Sequence, residues 1–184
     1  MAAAGMRREV WLRSNLRPVA VAVAVAASVA ILAVVVVLTM HLPVWAKVVM
    51  TMLAGSDVLA AAVLAWGAAQ PRLALDGDTV AVRLAPLTVQ RVPLEVVECV
   101  FRGSEPIAAE DGPPRFRVGT LVLRLAERAT EWRQRPSFRP WGTWEDGHVT
   151  IDGRWCEPLS PESARQIAAR LADAKRMTVP GCPS

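Results

Sequence analysis

The amino-acid sequence predicts an α+β protein: an N-terminal transmembrane helical hairpin, then a small antiparallel sheet or open barrel with a C-terminal amphipathic helix. Three observations predict it. Two apolar runs, 19–42 and 44–69, stand almost back to back across Pro43, and each exceeds the roughly 20 residues that cross a hydrocarbon core about 30 Å thick. From Gln70 onward, short apolar stretches are separated by Asp-Gly turn signals, the pattern of brief strands. Near the C-terminus, Ser160-Pro161-Glu162 introduces an apolar stripe at helical spacing. The expected organisation is a basic N-terminus 1–18, a membrane hairpin 19–69, a β-rich domain with its helix 70–176, and a tail 177–184.

The first run alternates Val and Ala from Val19 to Ala26, which imitates the period of a strand, but both residues are apolar and no polar face is defined. In lipid the backbone must satisfy its own hydrogen bonds, so helix is the expected outcome. A cleaved signal peptide is the rival reading, with small residues Ala26 and Ala27 as its cleavage region. The run continues to Leu38, past a signal core of roughly 7–15 residues, and a retained anchor is expected.

Charge sets the orientation. The net charge is +4, but before Gln70 Arg7, Arg8, Arg13, Arg17 and Lys47 face only Glu9 and Asp57, while after it sixteen positive residues face fifteen negative. The nearly neutral domain argues against nucleic-acid binding. Four arginines precede the first run and Arg72 follows the second, whereas the turn between them carries only Lys47, so both termini are expected to be cytoplasmic. Trp11 and Trp66 are expected near the inner interface and Trp45 near the outer one. Cys99, Cys156 and Cys182 form no CxxC pair and read as reduced thiols.

Asp57 is the one acid inside a run, where an ionised carboxylate costs about 2.5–3.5 kcal/mol on insertion scales. Folding the hairpin about Pro43 brings it to the depth of Ser28, so the expected role is a Ser28–Asp57 polar contact, with Ala54, Gly55 and Ser56 permitting close helix approach. The other role for Asp57 is a proton site or a contact to a second membrane subunit.

In the domain, Leu73-Ala74-Leu75 and 80–84 flank Asp76-Gly77-Asp78 as a hairpin. Extended stretches follow between Leu87 and Phe101, then a Gly-, Pro- and acid-rich surface loop over 102–114. The run 116–125 places Leu121, Leu123 and Leu125 on one face. A second hairpin is expected to turn at Asp152-Gly153. Ser160 caps the final helix, with Pro161 at its first position and Ala164, Ile167, Ala168 and Leu171 as its apolar stripe.

This order of elements, with the segments Leu73-Ala74-Leu75-Asp76-Gly77-Asp78-Thr79-Val80-Ala81-Val82-Arg83 and Arg91-Val92-Pro93-Leu94-Glu95-Val96-Val97-Glu98-Cys99-Val100, resembles bacterial two-span membrane proteins carrying a pleckstrin-homology-like domain. The resemblance covers most of 70–176; a Trp-rich insertion at 131–147 departs from the compact pattern. It implies an inner-membrane protein whose cytoplasmic domain is a non-catalytic scaffold or a protein- or lipid-binding module.

The insertion holds the candidate binding surface, Arg133, Arg135, Arg139, Trp141 and Trp144. Rings supply contact area and guanidinium groups supply paired donors, which suits lipid phosphates or a protein hot spot. The competing arrangement folds the tryptophans inward and leaves the arginines outside. His148, Asp152 and Cys156 suggest a Cys-His pair, but a turn at Asp152-Gly153 would put His148 and Cys156 on opposite sheet faces. No catalytic, cofactor-binding or metal-ligating residue is nominated, and no enzyme activity is expected. The expected partners are the lipid bilayer and a membrane-protein partner or second copy, with no nucleic acid and no small-molecule substrate. The alternative function is a subunit of a membrane transport or enzyme complex that uses Asp57.

Overall fold

Prolines set where the two long helices begin. Helix α1 (Arg17–Thr39) has Pro18 in its first turn, where a missing N–H costs nothing, and α2 (Val44–Ala69) starts from Pro43, whose extended backbone breaks the helix. In this computed structural model, residues 8–106 and 117–178 are described. The chain divides into two compact units, one of residues 15–70 and the other of 1–14 with 71–184.

Within the helical unit, the less exposed positions include Ala26, Ala30, Ala33 and Val37 on α1 and Ala54, Asp57, Ala61 and Leu64 on α2. Their alternating steps of four and three make a helix–helix seam, and its small residues permit close backbone approach. Elsewhere on these helices Val21, Val25, Ile31, Leu32, Leu53 and Leu59 are exposed. Both helices are long and apolar enough to cross a membrane. Trp45 and Trp66 are exposed on α2.

The expected Ser28–Asp57 contact is not formed. Ser28 lies two residues from both Ala26 and Ala30, which at about 100° per residue turns it away from the seam. Its hydroxyl donates instead to the Ala24 carbonyl one turn back, at 2.9 Å. Asp57 faces the seam, with Oδ2 buried and without a hydrogen-bond partner.

The other unit begins before the helices and resumes after them. Strand β1 (Glu9–Leu12) precedes α1, yet it pairs antiparallel with β2 (Leu73–Asp76), which follows α2; Val10 stands opposite Ala74 and Leu12 opposite Leu73. The Arg72 N–H donates to the Leu12 carbonyl at 3.0 Å. Part of the expected N-terminal segment 1–18 is therefore sheet, at Glu9–Leu12. Trp11, expected at the membrane interface, is only 4% exposed and belongs to the core with Leu12.

Strands β3 (Thr79–Val82) and β4 (Gln90–Pro93) complete a first antiparallel sheet, ordered β1-β2-β3-β4. The turn between β2 and β3 uses Gly77 at φ +66°, as the Asp-Gly signal predicts. Strands β5 (Val97–Pro106), β6 (Arg117–Leu125), β7 (Gly142–Glu145) and β8 (His148–Asp152) form a second antiparallel sheet, ordered β5-β6-β8-β7. The expected loop at 102–114 is strand over its first part, because Arg102 to Pro106 continue the ladder opposite Leu121 to Arg117. Residues 107–114 lie outside the described residues.

The second hairpin turns at Asp146-Gly147, both with positive φ, and not at Asp152-Gly153. Asp152 instead accepts from the Arg154 backbone N–H at 2.8 Å and caps a single 3-10 turn. Gly153 is there for strand contact: a Cβ on it would lie 2.2 Å from the Gly119 carbonyl oxygen.

Helix α3 (Pro161–Thr178) starts where predicted, with the Ser160 hydroxyl accepting from the Ser163 N–H at 3.0 Å. It buries Ala164, Ile167, Leu171 and Ala174 in the cluster that joins Leu73, Val82 and Val92 of the first sheet to Val97, Leu123 and Ile151 of the second. The fold is thus α+β, with two long apolar helices, two small antiparallel sheets and a C-terminal helix.

Because Leu12 is fully buried in this core, Leu12→Ala is expected to destabilise the sheet unit by about 2–5 kcal/mol, the usual range for a large-to-small core change. Denaturant unfolding followed by tryptophan fluorescence on the full chain measures it. A change within about 0.5 kcal/mol, the size of a neutral surface substitution, would show that the domain is complete from Gln70 onward.

Candidate functional site

The Trp-rich segment follows β6 with a 3-10 turn at Thr130–Trp132, continues without regular structure through Pro136 and turns at 139–141, where the Trp141 N–H donates to the Phe138 carbonyl at 2.8 Å; Pro136 and Pro140 withhold N–H groups from any helix. The Phe138 N–H donates to the Leu84 carbonyl at 2.8 Å, tying the segment to the end of β3. It enters β7 at Gly142, where φ is +151° and a Cβ would lie 2.0 Å from the Thr150 carbonyl oxygen. Only glycine fits this approach.

This path turns both nominated tryptophans inward. Trp141 is fully buried and Trp144 is 1% exposed, so neither presents a ring to solvent. Trp144 joins the core, and its Nε1–H donates to the Trp132 carbonyl at 2.7 Å. Its ring stacks on Trp132 at 6.0 Å, and the Arg135 guanidinium lies 4.6 Å from the Trp132 ring centroid. Trp141 makes a T-shaped contact with Phe138, ring centroids 5.7 Å apart, and the Arg72 guanidinium lies 3.5 Å from the Trp141 ring centroid. Arg133 and Arg139 remain exposed and Arg135 is half-buried. The arrangement is an inward-packed aromatic segment with arginines outside, and the five nominated residues do not form one exposed surface.

Arg72 is the residue that sequence reasoning treated only as a topogenic charge. It is completely buried, its Nε donates to the Trp155 carbonyl at 3.3 Å, and its Nη1 and Nη2 have no acceptor. Desolvation pushes its pKa down to about 10, opposed by the neighbouring Cys156. The parity of β2 was the available signal: Leu73 points to the core, so Arg72 must point to the opposite face, where the sequence shows nothing to receive it.

Cys156 lies beside Arg72 and is itself buried, and burial pushes its thiol up to about 12 although Arg72 acts in the other direction. The thiol contacts the Asp152 carbonyl at 3.6 Å. His148 stands on β8 opposite Arg124 and Glu145, exposed, with Nδ1 3.0 Å from the Asp146 carbonyl oxygen. Cys156 instead forms an isolated antiparallel bridge with Ser14, two residues beyond β1. Asp152 is held by Arg154 through a 2.6 Å ion pair, which raises the Arg154 pKa. The three residues are engaged with separate partners. Among the described residues, no group of three or more His, Cys, Asp and Glu is placed to hold a metal ion.

The buried thiol links stability to pH. The unfolded thiol ionises near 9.0 whereas the folded one holds its proton to about 12, so the folded state binds more protons across that window and stability falls as pH rises through it. Arg72 acts with the opposite sign above about 10, which leaves pH 9–10 to the cysteine. Cys156→Ala is expected to flatten the fall in Tm over that interval. An unchanged slope would show that the thiol is not held in this environment.

Comparison with family models, with curated proteins and with solved structures finds no match for this chain.

Proposed function

We propose that this chain is a bacterial inner-membrane protein, anchored by the α1–α2 hairpin with both termini cytoplasmic, whose pleckstrin-homology-like domain serves as a non-catalytic scaffold or a protein- or lipid-binding module. One observation carries the reading: β1 lies immediately before the apolar hairpin and β2 immediately after it, and the two are hydrogen-bonded neighbours in one sheet. Only residues 13–16 and 70–72 connect the sheet unit to the two helices. The uncovered apolar surface of the helices supports lipid as their environment. The arginines on the domain side of the hairpin support the cytoplasmic assignment. The separate engagement of His148, Asp152 and Cys156 supports a binding role over catalysis.

A second reading has one observation in its favour. Asp57 places a buried oxygen without a partner in the hairpin seam, which suits a subunit of a membrane complex that uses this acid as a polar contact or proton site.

Topology is tested by labelling intact cells with a membrane-impermeant maleimide. A cysteine replacing His41, in the turn between the helices, is expected to react from outside. Cys99, exposed on β5, is expected to react only after permeabilisation. The reverse pattern would invert the orientation, and release of the protein by alkaline carbonate would remove the anchor.

A further inference from the structure

A cleft of about 320 Å³ opens where β1, an edge strand of the first sheet, meets Glu157-Pro158 and the first turns of α3. All of its lining residues belong to one compact unit. Three of them are charged: Arg13, Glu157 and Arg170. Val10 and Pro158 supply exposed apolar surface, and Ile167 is packed into the core beneath.

Backbone pairing keeps an arginine from the acid that faces it. Ser14 bridges antiparallel to Cys156, so the next residues along, Arg13 and Glu157, stand opposite each other with their side chains on one face. Opposite charges in that position ordinarily pair across the strands. Glu157 turns to the Arg13 backbone instead: its N–H donates to the Arg13 carbonyl at 3.0 Å, and its Oε1 accepts from the Arg13 N–H at 3.0 Å. Among the described residues, the ion pairs include neither Arg13 nor Glu157. Arg13 is exposed and Glu157 half-buried, so both charges face the cleft from its accessible side. Arg170 is fixed against β1, with Nη1 donating to the Val10 carbonyl at 3.2 Å and Nε 3.5 Å from Glu9 Oε1. These contacts use Nη1 and Nε and leave Nη2.

The signs of these groups select the ligand. An anion alone would meet the Glu157 carboxylate, and a cation alone would meet two guanidinium groups; either contact between like charges opposes binding. A molecule with both signs on neighbouring atoms meets complementary charge at each. The volume stands at the lower end of the range of about 300–1,000 Å³ for small-molecule sites, which suits one residue-sized ligand.

We propose that this cleft binds a free α-amino acid with an apolar side chain. The Arg13 and Arg170 guanidinium groups take its carboxylate, Glu157 accepts from its ammonium, and its side chain lies against Val10 and Pro158. This ligand goes beyond the protein- or lipid-binding role proposed above and does not depend on where the hairpin lies.

The test is isothermal titration calorimetry on the full-length protein in neutral detergent with L-leucine, L-methionine and L-phenylalanine. At least one is expected to bind with a Kd below about 1 mM. Its N-acetyl form, which lacks the ammonium, and its amide, which lacks the carboxylate, are each expected to bind about tenfold more weakly or worse. Arg13→Gln is expected to weaken the free acid by a similar factor. Glu157→Gln keeps an oxygen that can accept from the Arg13 N–H, and it is expected to abolish the preference for the free acid over its N-acetyl form. Arg91→Gln removes an equal charge at an exposed residue paired with Asp76, and it is expected to leave the affinity unchanged. No binding of any of the three, equal binding of the N-acetyl form or the amide to wild-type protein, or full affinity in the Arg13→Gln and Glu157→Gln double variant overturns the proposal. The analogue comparison uses wild-type protein throughout, so it decides the matter even where a variant fails to fold.

Discussion

The pairing of β1 with β2 is the constraint on which the rest depends. These strands are neighbours in space and are separated in sequence by both long helices. Closing so long a loop ordinarily carries an entropic cost that grows with its length. Here the loop is a helical hairpin that returns the chain to the end where it started, so the closure is prepared by the packing of α1 on α2. The domain core, which needs Trp11 and Leu12, is completed only after the second helix has been made. Helical hairpin and sheets are therefore one folding problem, although they form two compact units.

The second organising contact is Arg72 on Trp141. A buried guanidinium without a carboxylate is expensive, and two features offset part of the cost: the Trp141 ring and the Trp155 carbonyl. The same contact explains the long excursion between β6 and β7. Its Phe138 bond to Leu84 and the Gly142 approach to Thr150 deliver Trp141 to the opposite face of the first sheet, while Trp144 three residues later enters the core. One short segment thus closes two clusters, and its arginines are what remains outside.

Local signals in the sequence were legible where local physics decides. Two apolar runs, the Gly77 turn and the Ser160 cap follow from composition, positive φ and an unpaired N–H, each resolved within a few residues. Glu9–Leu12 was not legible, because four residues beside an apolar run have no period of their own and their partner lies beyond the hairpin. Asp146-Gly147 and Asp152-Gly153 carry the same turn chemistry, and what separates them is tertiary: Gly153 sits against the Gly119 carbonyl. Trp141 and Trp144 illustrate the same limit, since an Arg-Trp segment has one composition whether its rings face solvent or an arginine from another strand.

The central claim, that the chain before the hairpin and the chain after it share one sheet, is tested most directly by a disulfide trap. Val10 and Ala74 are directly opposite partners, and antiparallel partners have Cα separations of about 4.5–5.5 Å, within disulfide range. Cysteines at these two positions, in the full-length protein with its own cysteines replaced, are expected to form an intramolecular bond rapidly on mild oxidation. Moving the second cysteine to position 91, two strands away, is expected to abolish it. Failure of the Val10–Ala74 pair to close in folded protein, or bonds formed only between chains, would contradict the account.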